Sequence, residues 1–137
     1  MREILFRGKI KNVPQTGQYE LDYVHGNLIK ELETGRTFIA DLGHFDTNTK
    51  LNEILIEVIP ETVGQYTGLT DKNGKKIFEG DIMKHKLGGI GIVKYTKYAE
   101  FILVFIDECR CAYFTPATLK NHKVIGNIFD KGDKHNV

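Results

Sequence analysis

Chemically capable side chains crowd the stretch Gln65–Asp81, QYTGLTDKNGKKIFEGD, where Asp71, Asn73, Glu79 and Asp81 alternate with Lys72, Lys75 and Lys76. Oxygen donors two residues apart are what a calcium loop supplies. With Asp71 as its first ligand, Asn73 takes the third position, but Lys75 takes the fifth, Lys76 stands where the turn needs glycine, and Ile82 replaces the closing bidentate glutamate. An ammonium group in the coordination sphere repels a dication, so a calcium role is excluded. His44 and Asp46 place an imidazole and a carboxylate two apart, a general acid–base pair in outline, with no nucleophile in a recognisable setting beside them. The five histidines (His25, His44, His85, His122, His135) contain no i, i+4 pair. Gly88-Gly89-Ile90-Gly91 lacks both the GxGxxG spacing and the Lys-Ser/Thr of a phosphate loop, and reads as a hairpin turn.

The two cysteines, Cys109 and Cys111, are two apart. On a strand their Cβ atoms stand about 6.6 Å apart, against the ~3.8 Å a disulfide requires, so two reduced thiols are expected, with no closed zinc site. No catalytic, metal or cofactor-binding residue is assigned. A small hydrolytic or metal-dependent enzyme is the third-ranked reading, and would need His44 or His85 to converge with a carboxylate in a deep pocket.

Lysine is the commoner signal. Lys72, Lys75, Lys76, Lys84, Lys86, Lys94 and Lys97 fall close together, interleaved with Phe78, His85, Tyr95 and Tyr98. Small β domains use such mixtures on nucleic acid, lysines on phosphates and ring faces on bases. Lysine on strands also guards sheet edges against pairing. Both readings stand on the residues alone, and direct nucleic-acid binding is kept as the alternative to protein contacts.

The elements that must position these residues are short and β-rich. At 137 residues, 41% hydrophobic and 27% charged with net charge +1, the chain has the balance of a globular domain that buries about 68% of its unfolded surface. Residues 1–64 carry 7 Lys/Arg against 10 Asp/Glu and residues 65–137 carry 12 against 8, leaving the second half basic. Met1–Lys9 has no signal-peptide core, and the longest apolar run, FILVFI at Phe101–Ile106, is far below the ~20 residues of a membrane helix. A cytoplasmic protein without membrane contact is expected.

Period-two patterning predicts strands at Arg2–Phe6, Tyr19–Val24, Asn27–Glu31, Arg36–Ala40, Glu53–Val58, Ile82–Lys86, Ile90–Tyr95, Phe101–Ile106, Ala112–Phe114 and Lys123–Ile128. One helical turn is expected at Thr115–Leu119 and a connecting loop at Leu42–Leu51. The fold class is all-β: a small SH3-like barrel in the second half, additional N-terminal strands, and little helix. The chain reads as a single domain, 1–137, with an N-terminal lobe (1–62) containing a variable segment (9–52), a barrel-like lobe (63–130) and a disordered tail (131–137). Phe101–Ile106 is apolar at every position and should be covered on both faces. Gly91 should mark a bulge or a sharp barrel bend.

Asn73-Gly74 predicts a type I′ hairpin, with Asp71 opposite Lys76 and Leu69 opposite Phe78. Glu79-Gly80-Asp81 predicts a tight turn whose backbone amides Asp81 caps. Asn73, Gly74, Gly80 and Asp81 are thus structural turn residues. Tyr66, Asp71, Lys72, Lys75, Lys76, Lys84 and Lys86 form the candidate interaction surface, since loops held by rigid strands carry binding residues more often than strands do.

Three stretches in order, MREILFRG at the start, PETVGQYTGLTDKNGKKIFEGDI at Pro60–Ile82 and KVIGNIFD at Lys123–Asp130, are similar to the MREIKFR-type, QYTGLKDKNGKEIYEGDI-type and VIGNIYE-type segments of the YopX family of phage and prophage proteins. The resemblance spans essentially the whole chain, and Lys9–Asn52 matches least. It implies a mainly β, barrel-containing fold in a bacterial cytoplasm, and carries no established activity, cofactor or catalytic residue. From this setting a non-enzymatic binding or oligomerising module is expected, acting on host or phage macromolecules, with homo-oligomer formation, a protein partner, or nucleic acid as its mode of contact.

Overall fold

The computed structural model describes residues 3–12, 23–41, 43, 48, 50, 54–106 and 110–130. The His44 and Asp46 pair, most of the expected loop at Leu42–Leu51, Cys109 and the tail at 131–137 lie outside the described residues. The chain divides into two units, Met1–Gln65 and Tyr66–Val137. Both are built from antiparallel strands, as the period-two pattern predicts.

The first unit contains β1 (Phe6–Lys9), β2 (Tyr23–Lys30), β3 (Thr37–Ala40) and β4 (Leu55–Val58), followed by a 3-10 turn at Pro60–Thr62. β5 (Gly64–Thr70) then carries the chain into the second unit, and its first residues pair with β1 through Phe6↔Gln65 and Arg7↔Gly64. Ile10, Val24, Ile39 and Val58 form the core, with Phe6, Leu28, Ile56 and Val63 packed against it. An isolated Ile10↔Val58 bridge, flanked by hydrogen bonds from Lys11 N to Glu57 O and from Ile59 N to Lys9 O, brings the end of β1 to β4.

Two expected strands, Tyr19–Val24 and Asn27–Glu31, meet here as the single strand β2, described from Tyr23 onward. The expected bounds left His25-Gly26 between them. In the fold, Gly26 is where β2 changes partner: Phe6↔Gly26 is the last rung to β1 and Asn27↔Ala40 the first to β3. A Cβ on Gly26 would sit 2.1 Å from the Ala40 carbonyl oxygen, so only glycine permits the approach. The first strand is likewise displaced, from the expected Arg2–Phe6 to Phe6–Lys9. Gly8 lies inside it, where the Val58 side chain fills the space a Cβ would take, 3.0 Å away.

The second unit holds the rest of β5, β6 (Lys76–Phe78), β7 (Asp81–His85), β8 (Ile90–Tyr95), β9 (Phe101–Phe105), β10 (Arg110–Tyr113), α1 (Pro116–Leu119) and β11 (His122–Asn127). Its five-stranded sheet has the order β10-β9-β8-β7-β11. The expected SH3-like closure of this half is not found: among the described residues β10 and β11 form the two edges of an open sheet. Closure is blocked because the outer edge of β11 already receives the loop after β5, through Lys72 N to His122 O and Val124 N to the Asp71 carboxylate.

Met83, Val93, Leu103 and Phe105 from one face of this sheet pack with Ile77 and Leu119 to make the core. Phe101–Ile106 is therefore covered less than its composition suggested. Leu103 and Phe105 are buried, Ile102 and Val104 are half-buried, and Ile106 is 50% exposed. Gly91 marks no bulge, since its rungs to Met83 and Phe105 are regular. It leaves room for Leu103, whose Cγ would lie 2.8 Å from a Cβ there.

Candidate functional site

The Asn73-Gly74 turn is wider than the two-residue type I′ loop that its sequence suggests. Gly74 has φ +82°, whereas Asn73 is not in the left-handed region. Asp71 N donates to Lys75 O at 2.8 Å and Gly74 N to Asp71 O at 3.0 Å, giving a three-residue loop with the glycine at its left-handed position. The register shifts as well: Thr70 faces Lys76 and Tyr66 faces Phe78, in place of the expected Asp71–Lys76 and Leu69–Phe78 pairs. The extra residues of β5 are absorbed around Gly68, at φ +89°, while the Thr67 hydroxyl donates to Ile77 O at 2.9 Å and accepts from Leu69 N. The trace of that irregularity in the sequence is Gly68 itself, a glycine interrupting an otherwise strand-like run.

Two residues of the expected interaction surface are thus inside. Tyr66 is 6% exposed, its ring centre 5.5 Å from that of Phe78 in a tilted contact, with the Lys76 ammonium 5.3 Å from its ring centre. Asp71 is also 6% exposed, and its carboxylate is fully engaged by the backbone. Oδ1 accepts from Asn73 N at 2.8 Å and Lys75 N at 2.9 Å, and Oδ2 accepts from Val124 N at 2.9 Å. Burial works against the charge, but amide donation from Val124, Lys75 and Asn73 outweighs it and holds the carboxyl below its ordinary value. Three of the roughly four lone-pair sites of this carboxylate are thus taken by backbone amides, which disfavours its use as a metal ligand. Among the described residues there is no cluster of three or more His, Cys, Asp or Glu able to hold one.

Asp81 lies at the other end of the hairpin, where Oδ2 accepts from Phe78 N at 2.8 Å across the turn made by Gly80 at φ +92°. Gly80 N donates to Val93 O, and its carbonyl accepts from Ile128 N. The central and closing sequence stretches, far apart in the chain, therefore meet at both ends of one structure.

Between the hairpin and α1 lies an open groove of about 350 Å³, lined by Leu69, Thr70, Asp71, Lys72, Pro116, Leu119 and Lys120. α1 is positioned by its own cap: Thr115 Oγ1 accepts from Thr118 N, and Pro116 opens the turn. Leu69, Pro116 and Leu119 make the apolar lining, while Lys72 and Lys120 are exposed on either side. Asp71 is the acid of the lining, and its oxygens face backbone amides, so the two ammonium groups set the sign of the groove. Sequence patterning pointed to Lys72 but not to Pro116, Leu119 or Lys120, whose relation to the hairpin is purely tertiary.

The remaining candidate lysines are not brought together. Lys75 and Lys76 are exposed on the hairpin and Lys86 on the turn after β7. Lys84 stands directly opposite Lys123 of β11, on the sheet face that also carries Ile90, Ile92 and Lys94. His85 and His122 face each other across the same two strands, ring centres 4.8 Å apart, with no carboxylate converging on them among the contacts of either ring.

No helix among the described residues is long or apolar enough to cross a membrane. The architecture is that of a two-unit antiparallel β protein whose hairpin, single-turn helix and sheet edge enclose a small lysine-bordered groove. The YopX protein family matches residues 17–133, and the chain belongs to that family. No curated protein matches it.

Proposed function

We propose that this chain is a non-enzymatic binding module that takes an acidic peptide segment with one bulky apolar residue into the groove between the β5–β6 hairpin and α1. One observation carries the reading: the groove pairs an apolar lining with two exposed ammonium groups, while its only carboxylate is turned onto three backbone amides. An apolar anchor between Leu69 and Leu119 supplies burial, and flanking carboxylates meet Lys72 and Lys120. Fluorescence anisotropy with labelled peptides of the form acidic–aromatic–acidic tests it. Wild type binds, and Lys72→Glu with Lys120→Glu weakens binding about tenfold or more, whereas Lys97→Glu in the β8–β9 turn, which does not line the groove, leaves it unchanged. Binding indifferent to the first pair removes the groove from consideration.

A second reading, direct binding of DNA or RNA, is favoured by the Lys84–Lys123 pair. Like charges placed directly opposite on adjacent strands destabilise a sheet, and an anionic ligand across them relieves that cost. It requires affinity that falls steeply with salt and weakens on Lys84→Glu for every sequence tested.

A further inference from the structure

We propose that His122 is a proton-sensitive latch that holds the two walls of the groove together and releases them when its ring becomes charged. This regulation rests on the groove being the binding site. His122 opens β11 and touches both walls. Its Nδ1 lies 2.8 Å from the carbonyl oxygen of Thr118 in α1, and since a carbonyl only accepts, Nδ1 carries the proton. Its own carbonyl accepts from Lys72 N on the hairpin side. The ring is 2% exposed, and its second nitrogen, Nε2, is buried with no hydrogen-bond partner.

A neutral ring tolerates that arrangement, because Nε2 then presents only a lone pair. Protonation creates a buried N–H⁺ without an acceptor, an unpaired charge whose burial is costly. The surroundings offer no relief. From β7 the half-buried His85 presents its ring at 4.8 Å, with Nδ1 accepting from Leu87 N, so a neutral His85 keeps its own proton on Nε2. Phe105 of β9 lies at 6.1 Å. Lys72 from the hairpin, Lys86 after β7, Lys120 beside α1 and Lys123 on β11 are the charged residues of the adjoining elements, and none is an acceptor. Asp71, the adjacent acid, is committed to Asn73, Lys75 and Val124 amides. Burial, followed by the His85 charge, holds the His122 imidazole below its ordinary value of 6.5 despite the Thr118 bond. A charged ring is therefore driven from its pocket, which breaks the Thr118 contact on one wall at the same residue whose carbonyl holds Lys72 on the other.

The test is a nitrogen-15 NMR titration of the full chain between about pH 8 and pH 5, following the His122 ring nitrogens and the backbone amides of Lys72 and Leu119. The latch requires both amides to shift on the His122 curve and their hydrogen exchange to accelerate about tenfold beyond the ordinary pH effect once the ring is charged. His122→Asn, which can keep a donor toward Thr118 but does not titrate, should abolish that transition. If His122→Asn fails to fold, His85→Gln serves instead, because the transition must then still follow His122. Amides that follow His85, or do not respond, overturn the latch. Peptide anisotropy in parallel separates the two proposals. Peptide binding equal across the range overturns the latch and leaves the groove standing. The NMR transition without peptide binding at any pH supports the latch and removes the groove reading.

Discussion

Asp71 and Val124, 53 positions apart in the chain, are joined by a 2.9 Å hydrogen bond from a strand-edge amide to a loop carboxylate. The side chain acts as a missing strand: Oδ2 satisfies the edge of β11 while Oδ1 closes the Lys72–Gly74 loop from within. Asp71→Ala leaves three amides without this acceptor and should lower stability by about 3 kcal/mol. Asp71→Asn, which retains one oxygen, should cost less. Urea unfolding of the three proteins checks the order.

The same carboxylate sets an acid limit. Its folded value lies below the ordinary 3.8, so its contribution to stability is complete above 3.8 and is lost as pH falls through the depressed folded value. The Asp71→Asn protein should lack that component, so the difference in melting temperature from wild type narrows at the acid end of a pH series.

His122 acts in a different window. Because its folded value is lowered, the unfolded chain takes up the proton more readily, so the contribution is complete above 6.5 and declines below it until the folded ring also titrates. Removing the titration with His122→Asn should flatten the stability profile just below 6.5, measurable by chemical unfolding at closely spaced pH values.

Gly91→Ala should destabilise by about 1–3 kcal/mol through overpacking, since the new methyl meets Leu103 Cγ at 2.8 Å in a buried strand pair. If packing is the cause, the loss is not additive with Leu103→Ala, and the double variant is more stable than the sum of the singles predicts. Full additivity contradicts this account.

The turn itself separates two loop geometries. Gly74 has positive φ and open space around it, so Gly74→Ala should cost about 1 kcal/mol from backbone strain alone. Asn73→Ala should stay within about 0.5 kcal/mol, because Asn73 is not left-handed. Equal costs at both positions would restore the type I′ turn.

How far the sequence could be read depended on whether the signal was local. Strands such as Ile90–Tyr95 and the turn at Pro116–Leu119 were legible because alternation and a proline-led cap are written in adjacent residues. Gly26 and Gly91 misled for one reason. The first fell in the gap between two expected strands and the second was expected to mark a bulge or barrel bend, while each admits a neighbour, the Ala40 carbonyl or Leu103, from elsewhere in the chain. Asp71 looked like a surface charge because nothing near it in sequence reveals Val124. The groove was half legible, with Lys72 in view and the α1 wall hidden until the chain folds back.

The change of partner at Gly26 bears on how the first unit comes apart. β2 is a single strand serving two ladders, held to β1 by its first four residues and to β3 by its last four. The two ladders use different halves of β2, and the Ile10↔Val58 bridge joins the end of β1 to β4 on the far side of β3. Peeling β3 and β4 from β2 therefore also has to break that bridge, so these strands should melt together, which thermal unfolding followed by two independent probes checks.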